Sequence, residues 1–248
     1  MIISCINHKG GVAKTTTAYH IAAGAAARGV RPLLIDMDPQ GNLTRMCGAL
    51  RQGTPTIGDV LGGAHSATST IRQAKQYISF DSMTGGHIVA SNIGLENVAV
   101  GLMQRMFDKL TALKDALENE GRDQLVIIDT PPNAGVLTLN ALVASTHTIV
   151  CADPEEDAIS GIKTMIDIIA RIPRERLDPP ALLGVLATRV DAVSARHADN
   201  LARLLSPNMP TLLGEIPKRN GRDADKQLAL AYAPVVDQIL AEAGVTNA

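Results

Sequence analysis

Short apolar runs alternate with longer amphipathic segments along most of the chain. The short runs are almost continuously hydrophobic, which is typical of strands that are covered on both faces. They predict strands at residues 2–7, 32–35, 88–90, 125–129, 148–152 and 182–187. Between them, apolar positions three or four residues apart predict helices at residues 15–28, 95–119, 136–144, 159–172, 195–205 and 234–243.

The alternation of strands and helices predicts βαβ units and therefore an α/β fold. Right-handed crossovers make this an open, doubly wound, mostly parallel sheet flanked by helices. No internal repeat or low-complexity linker divides the sequence, so we expect residues 1–248 to form a single domain. The segment 53–84, rich in Gly, Ser and Thr, predicts one short helix near residues 57–61 and loop elsewhere.

Composition narrows the class of protein. Hydrophobic residues make up 46% of the chain and charged residues 19%, which argues against disorder. With two Phe, three Tyr and no Trp, the core must be aliphatic, and stacking platforms for single-stranded nucleic acid are not expected. Cys5, Cys47 and Cys151 form no CxxC pair, which argues against a disulfide framework or a zinc site. No apolar run is long enough to cross a bilayer and no signal peptide is evident, so we expect a cytoplasmic protein.

The first predicted strand leads directly into the sequence HKGGVAKTT at residues 8–16. Gly10 and Gly11 permit backbone angles that let successive N–H groups point at one anion, and the following helix adds its N-terminal dipole. Lys14 can reach the β- and γ-phosphates of a nucleotide, and the Thr15 hydroxyl can bind Mg²⁺. The sequence therefore predicts a phosphate-binding loop formed by Gly10, Gly11, Val12, Ala13, Lys14, Thr15 and Thr16.

Lys9 stands at the start of this loop, in addition to Lys14. The pattern KGGxxKT resembles the deviant Walker A motif of the ParA/MinD ATPases. This resemblance implies a P-loop NTPase domain that uses ATP and Mg²⁺. It also implies that Lys9 reaches the phosphates of the partner's nucleotide, so that ATP is sandwiched in a homodimer.

Acidic residues end two further strands. In LLIDMDPQGN, residues 33–42, Asp36 and Asp38 point the same way at the carboxyl edge of the sheet. The string DxDPQGN resembles the ParA branch, which implies that Asp36 orients the water shell of the metal and Asp38 the attacking water. A helix cap or a turn is the alternative role for such aspartates. In QLVIIDTPP, residues 124–132, Asp129 has the form of a Walker B acid that holds a Mg²⁺ water beside Thr15.

Two later segments also resemble the family. In CADPE, residues 151–155, Glu155 is expected to contact the ribose of the partner's nucleotide. Arg189, in TRVD, and Ile216 and Pro217, in GEIP, are expected to contact adenine. Ordinary strand-to-helix turns are the alternative interpretation of both segments.

Charge is unevenly distributed. Residues 163–226 carry 11 Lys and Arg against 8 Asp and Glu, a balance of +3, whereas the remainder carries 12 against 17, a balance of −5. One basic group contains Lys218, Arg219, Arg222 and Lys226, and a second contains Arg171, Arg174 and Arg176. Such side chains can neutralise the phosphates of double-stranded DNA without reading its sequence. A solvated surface explains either group equally well.

The resemblance spans nearly the whole chain and implies a partition ATPase. Such a protein dimerises on ATP, binds DNA non-specifically at the nucleoid, and hydrolyses ATP slowly until a ParB-like activator stimulates it. A protein assembly as cargo is one alternative to plasmid or chromosome DNA, and an ATP-dependent metabolic enzyme is another. A MinD-like membrane ATPase needs a basic terminal helix, but no Lys or Arg follows Lys226. Because the chain starts at the first strand, we expect no N-terminal helix-turn-helix domain.

Overall fold

Eight strands form one sheet in the computed structural model, which describes residues 1–49, 53–63, 67–80, 84–105, 108–118, 124–172, 177–219 and 223–245. The strands are β1 (Ile2–Ile6), β2 (Leu33–Asp36), β3 (Lys75–Ser79), β4 (Gly85–Val89), β5 (Val126–Asp129), β6 (His147–Ala152), β7 (Ala181–Val190) and β8 (Leu212–Pro217). Their order is β3-β4-β2-β5-β1-β6-β7-β8. Only the β3–β4 pair is antiparallel among the paired strands of the described residues, so the predicted mostly parallel sheet is confirmed.

Helices cover both faces of this sheet. They are α1 (Lys14–Ala26), α2 (Asn42–Met46), α3 (Ile57–Gly62), α4 (Ala67–Ala74), α5 (Leu95–Gln104), α6 (Ala112–Leu117), α7 (Val136–Ala144), α8 (Ala158–Ala170), α9 (Ala195–Leu204) and α10 (Ala224–Glu242). On one face α1 and α10 pack over Ile3, Leu34 and Ile127. On the other face α3 to α9 form two aliphatic clusters against the remaining strand side chains. None of the helices within the described ranges is long and apolar enough to cross a bilayer.

The central position of β1 creates the site. The chain leaves β1 through α1, passes over β5 and enters the sheet again as β2, whereas β6 pairs with the other edge of β1. Connections therefore diverge to opposite sides next to β1, which is the arrangement that opens a crevice at the carboxyl ends of parallel strands. The segments that follow β1, β2, β5, β7 and β8 all border this crevice.

The six predicted strands and six predicted helices are present, with four corrections. The loop expected over much of residues 53–84 was wrong, because α4 and β3 lie there beside the expected α3. The single helix expected at 95–119 is interrupted, since α5 ends at Gln104 and α6 begins at Ala112. Helix α10 begins at residue 224 rather than 234 and continues through Pro234. Strand β8 and helix α2 were not predicted.

Candidate active site

A cleft of about 560 Å³ lies at the carboxyl ends of the strands. Its walls contain most residues that the sequence singled out, namely Gly10, Gly11, Val12, Ala13, Lys14, Thr15, Thr16, Asp38, Arg189, Ile216, Pro217, Lys218 and Arg219. Its walls also contain residues that sequence reasoning missed, namely Asn42, Met46, Leu228 and Tyr232. The cleft is large enough for a nucleotide-sized ligand.

The loop between β1 and α1 is fixed by contacts with β7. The Thr188 hydroxyl donates to the Val12 carbonyl oxygen at 3.0 Å, and the Arg189 guanidinium donates to that of Gly11 at 2.8 Å. Gly11 has a φ of 77° and Ala13 a φ of 58°, so the chain turns through two left-handed positions before α1 begins. A turn of this kind lets successive backbone N–H groups converge on one anion at the helix N-terminus.

Lys14 begins α1 with its side chain buried beneath the loop, where Nζ donates to the Lys9 carbonyl oxygen at 3.2 Å. Burial lowers the pKa of this ammonium, and the nearby negative charges, including those of Asp129 and Asp38, partly oppose that effect. A buried cation beneath converging N–H groups favours an anionic ligand such as a polyphosphate.

Asp36 and Asp129 lie side by side at the ends of β2 and β5, in register with each other, yet their surroundings differ. Asp36 Oδ2 accepts hydrogen bonds from the Thr44 N–H at 2.8 Å and from the Thr44 hydroxyl at 2.7 Å, and its Oδ1 accepts from the Asp38 N–H at 3.1 Å. Burial nevertheless raises the pKa of Asp36 to about 6, because these hydrogen bonds offset only part of the desolvation.

Neither carboxylate oxygen of Asp129 has a hydrogen-bond partner of normal geometry among the described residues, although the side chain is fully buried. Burial, followed by the charge of Asp36, raises the pKa of Asp129 well above its ordinary value, whereas the Thr15 hydroxyl and Lys14 lower it. Buried polar atoms are seldom left unpaired. A carboxylate beside a hydroxyl is an oxygen-donor set of the kind that Mg²⁺ prefers, so Asp129 and Thr15 fit a magnesium site.

Asp38 lies on the wall of the cleft with 7% of its surface exposed. Its Oδ1 accepts the Gln40 N–H at 3.0 Å, and its carbonyl oxygen accepts the Gly41 N–H at 2.9 Å. The carboxylate is therefore held in a tight turn next to the phosphate loop, where it can orient a water molecule.

Among the residues predicted to contact nucleotide, Lys9 and Glu155 do not line the cleft of their own chain. Lys9 Nζ is half exposed and pairs with Asp157 at 2.7 Å. Glu155 borders a smaller polar cavity of about 180 Å³, where its carboxylate contacts His197 Nε2 at 3.4 Å and Arg196 at 3.2 Å. Both side chains therefore border smaller cavities next to the cleft.

The predicted DNA-binding residues are not gathered on one separate surface. Lys218 and Arg219 are exposed but line the cleft, and Lys226 is exposed on α10. Arg222 lies outside the described residues, as do Arg174 and Arg176 of the second basic group.

The base of the cleft includes Tyr232 of α10, which is fully buried. Its hydroxyl lies 2.8 Å from the Thr17 hydroxyl of α1, and its ring stacks on His20 at a centroid distance of 5.0 Å. Leu228 and Tyr232 are four residues apart on the same helix face. This spacing is visible in the sequence, but it was missed because the helix was expected to begin at residue 234.

Comparisons with known proteins agree with this geometry. The protein family described as an AAA domain matches residues 1–179. The chromosome-partitioning ATPase Soj of Thermus thermophilus is 35% identical over 198 residues, covering 76% of this chain and 69% of Soj. The chromosome partitioning protein ParA of Caulobacter vibrioides is 33% identical over 194 residues, covering 77% of this chain and 70% of ParA.

A solved structure resembles nearly the whole chain. It is that of cobyrinic acid a,c-diamide synthase from Mycobacterium smegmatis with bound ATP analog and magnesium. It is 31% identical with a TM-score of 0.83, and the match covers 98% of this chain and 95% of that one. Together with the deviant Walker A loop and its two acidic partners, these similarities show that the chain belongs to the ParA/Soj-like family of partition ATPases.

Proposed function

We propose that the chain binds ATP and Mg²⁺ in the cleft and hydrolyses ATP to ADP and phosphate. The observation that carries this proposal is that two buried charged side chains lie at the phosphate loop: Lys14, and Asp129, whose carboxylate has no hydrogen-bond partner of normal geometry among the described residues. The first suits a polyphosphate and the second a divalent cation. The solved structure from M. smegmatis, which holds an ATP analog and magnesium, supports the same ligands.

Each residue of the site then has a task. The loop N–H groups from residue 10 to residue 16 and Lys14 bind the phosphates, and Thr15 and Asp129 hold the cation. When bound, Mg²⁺ neutralises charge on the β- and γ-phosphates. Asp38 orients the attacking water and accepts its proton as the bond between the β,γ-bridging oxygen and the γ-phosphorus breaks. Arg189, Ile216 and Pro217 form the wall that contacts adenine.

We further propose that ATP joins two copies of the chain. Lys9 is free to exchange its exposed partner Asp157 for the phosphates of the second nucleotide, because an exposed ion pair contributes at most about 1 kcal/mol. Glu155 would contact the ribose across the same interface. Hydrolysis in this arrangement is slow until a ParB-like activator completes the site.

The dimer would bind double-stranded DNA without sequence preference, and so associate with the nucleoid in the cytoplasm. The residues proposed to contact phosphates are Lys218, Arg219, Arg222 and Lys226. The similarity to chromosome-partitioning Soj and ParA supports plasmid or chromosome DNA as the cargo. A protein assembly carried on the same DNA track is the alternative cargo.

Binding to an unrelated DNA duplex tests this proposal. Fluorescence anisotropy is measured with ATP, with ADP and without nucleotide, at low and moderate salt. We expect ATP-dependent binding that is indifferent to sequence and weakens as salt rises. Lys226→Ala should weaken it, and Lys163→Ala, which removes an exposed lysine of α8, is the matched control. If the protein binds no DNA with ATP, with ADP or without nucleotide, the proposed non-specific binding to DNA is refuted.

A metabolic function is the second candidate, because the similar M. smegmatis structure is that of a cobyrinic acid a,c-diamide synthase. In that case ATP turnover should depend on an amide donor and a carboxylic acid substrate rather than on DNA. Vesicle binding tests the MinD-like alternative with the same preparation. Stimulation by DNA and a partner, without response to small substrates or vesicles, would favour partition.

A further inference from the structure

The carboxylate of Asp36 accepts hydrogen bonds from other groups of the chain, whereas that of Asp129 has no partner of normal geometry among the described residues. Three donors occupy it, two from Thr44 and one from the Asp38 N–H. An ionised carboxylate offers about four acceptor positions, so most of its capacity is used within the chain. The neighbouring Asp129, in register on β5, makes no such contact within the described ranges.

These three hydrogen bonds connect the two ends of one short segment. Asp38 begins the turn after β2, and Thr44 is the third residue of α2. Gly41, the N-cap of α2, has no side chain with which to cap it. The Asp36 carboxylate accepts the Thr44 N–H instead, which is the bond that a capping side chain normally makes with the third helical residue. The Asp36 side chain, at the end of β2, therefore caps the N-terminus of α2.

Thr44 extends this connection to the next strand. Its buried hydroxyl donates to Asp36 and accepts the Ser91 N–H at 2.8 Å, just after β4. Gly41 packs against the same segment, since a Cβ at Gly41 would lie 3.1 Å from the Ser91 carbonyl oxygen. The segment that carries Asp38 is thus fixed between two strand ends by one hydroxyl and one carboxylate.

We propose that Asp36 and Thr44 act as a pair of positioning residues that hold Asp38 and the start of α2 against the cleft. Asp36 then serves the reaction through Asp38, rather than by orienting the water shell of the metal. This inference rests on the proposed ATPase function for its kinetic consequence. The contacts themselves belong to the nucleotide-free chain and can be tested without any ligand.

The first test is hydrogen–deuterium exchange of the nucleotide-free protein. Thr44→Val keeps the shape of the side chain but removes both hydrogen bonds of the hydroxyl. We expect the amides between residues 38 and 46 to exchange about 30-fold faster, because two bonds worth about 1 kcal/mol each are lost and about 1.4 kcal/mol corresponds to a factor of ten. Amides 126–129 should be unchanged, and Thr44→Ser should restore protection. The control is Thr164→Val, at an exposed position of α8. Unchanged exchange at 38–46 would overturn the proposal, whether or not the chain hydrolyses ATP.

The second test separates positioning from metal binding in single-turnover hydrolysis. Thr44→Val and Asp36→Asn should each lower the rate constant at saturating Mg²⁺ about tenfold or more, since small displacements of a catalytic group are costly. The affinity for a fluorescent ATP analogue and its Mg²⁺ dependence should stay within about twofold of the parent, and the double variant should be no slower than either single one. A Mg²⁺ requirement raised by Asp36→Asn alone would overturn the proposal in favour of a metal role.

Discussion

Asp129→Asn should stabilise the protein in the absence of ligands while abolishing its response to Mg²⁺. The substitution keeps the size and shape of a side chain that is fully buried and lacks hydrogen-bond partners of normal geometry within the described residues. It removes a negative charge that faces Asp36 across one strand pair. Residues selected for ligand binding commonly reduce stability in this way.

The magnitude is bounded by the proton equilibrium. The free-energy cost of burying the ionised carboxylate at pH 7 cannot exceed the free energy of protonating it. That free energy is about 1.36 kcal/mol for each of the roughly three pH units above the ordinary pKa of 3.8, or about 4 kcal/mol in total. The Asn amide would be buried without partners as well, so Asn recovers only the part of this bound that arises from the charge, and we expect about 1–3 kcal/mol. For a chain of this length it corresponds to an increase in Tm of about 3–10 °C.

The assay is thermal unfolding of wild type, Asp129→Asn and the control Asp199→Asn, whose carboxylate is exposed on α9. The raised pKa of Asp129 means that the folded state binds its proton more readily than the unfolded state. The contribution of Asp129 to wild-type stability should therefore fall as pH rises above about 4, and the advantage of the variant should disappear near pH 4. ATP with Mg²⁺ should raise the Tm of wild type more than ATP alone does. For the variant, the two additions should raise the Tm equally. A variant less stable than wild type at pH 7 would refute the reasoning.

Four further substitutions test the rest of the site. Lys14→Ala should abolish binding of a fluorescent ATP analogue, because it removes the buried positive charge under the loop; normal affinity would place the nucleotide elsewhere. Asp38→Ala should bind ATP but slow single-turnover hydrolysis by about 100-fold or more, trapping the dimer, whereas unchanged turnover would remove Asp38 from the mechanism. Lys9→Ala should keep ATP binding yet elute as a monomer with ATP on a sizing column, and a persistent dimer would contradict the role across the interface. Tyr232→Phe should lower the free energy of unfolding in urea by about 1 kcal/mol through loss of the bond to Thr17, and an unchanged midpoint would show that this bond is not stabilising.

The parallel centre of the sheet could be predicted from sequence because its strands are buried on both faces. The runs at β1, β5 and β6 are almost continuously apolar, a pattern typical of central strands in an α/β chain. The edges gave a weaker signal. Strand β3 reads KQYIS and alternates buried with less buried positions, because only one of its sides is paired and one face is partly solvated. Strand β8 ends in proline, which sequence rules associate with turns.

The sequence predicts helix α10 ten residues too short, because a proline such as Pro234 favours the first turn of a helix over its interior. Proline lacks the N–H that a helix interior uses. Here Arg28 of the segment after α1 donates to the Ala233 carbonyl oxygen, to that of Gly24, and to the Asp237 carboxylate. This guanidinium joins the helix to α1 on both sides of the proline. Tertiary contacts of this kind cannot be read from local sequence.

Site residues were predictable where a motif fixes the backbone and unpredictable where the fold brings distant segments together. The loop at 9–16 and the acids at strand ends follow from local order. By contrast, Thr44 reaches Asp36 only because α2 folds back over β2, and Tyr232 reaches the cleft only because α10 packs on α1. The alternative role for strand-end aspartates, a cap or a turn, was visible in the sequence and is the role on which the Asp36 inference is based.

Several features that reduce the free energy of unfolding lie in or next to the cleft. Ala13 and Arg189, the two non-glycine residues with positive φ within the described ranges, both contribute to its walls. Such conformations cost about 1–3 kcal/mol each and persist only where the surroundings enforce them. Lys14 is buried with a lowered pKa, and the buried Asp129 carboxylate has no hydrogen-bond partner of normal geometry in the part of the chain that the structure describes. A ligand that carries phosphates and a divalent cation would relieve both charges at once, because each has its complement in that ligand. Binding should therefore stabilise the folded chain beyond what contact area alone would give, and loss of the γ-phosphate should remove part of that stabilisation.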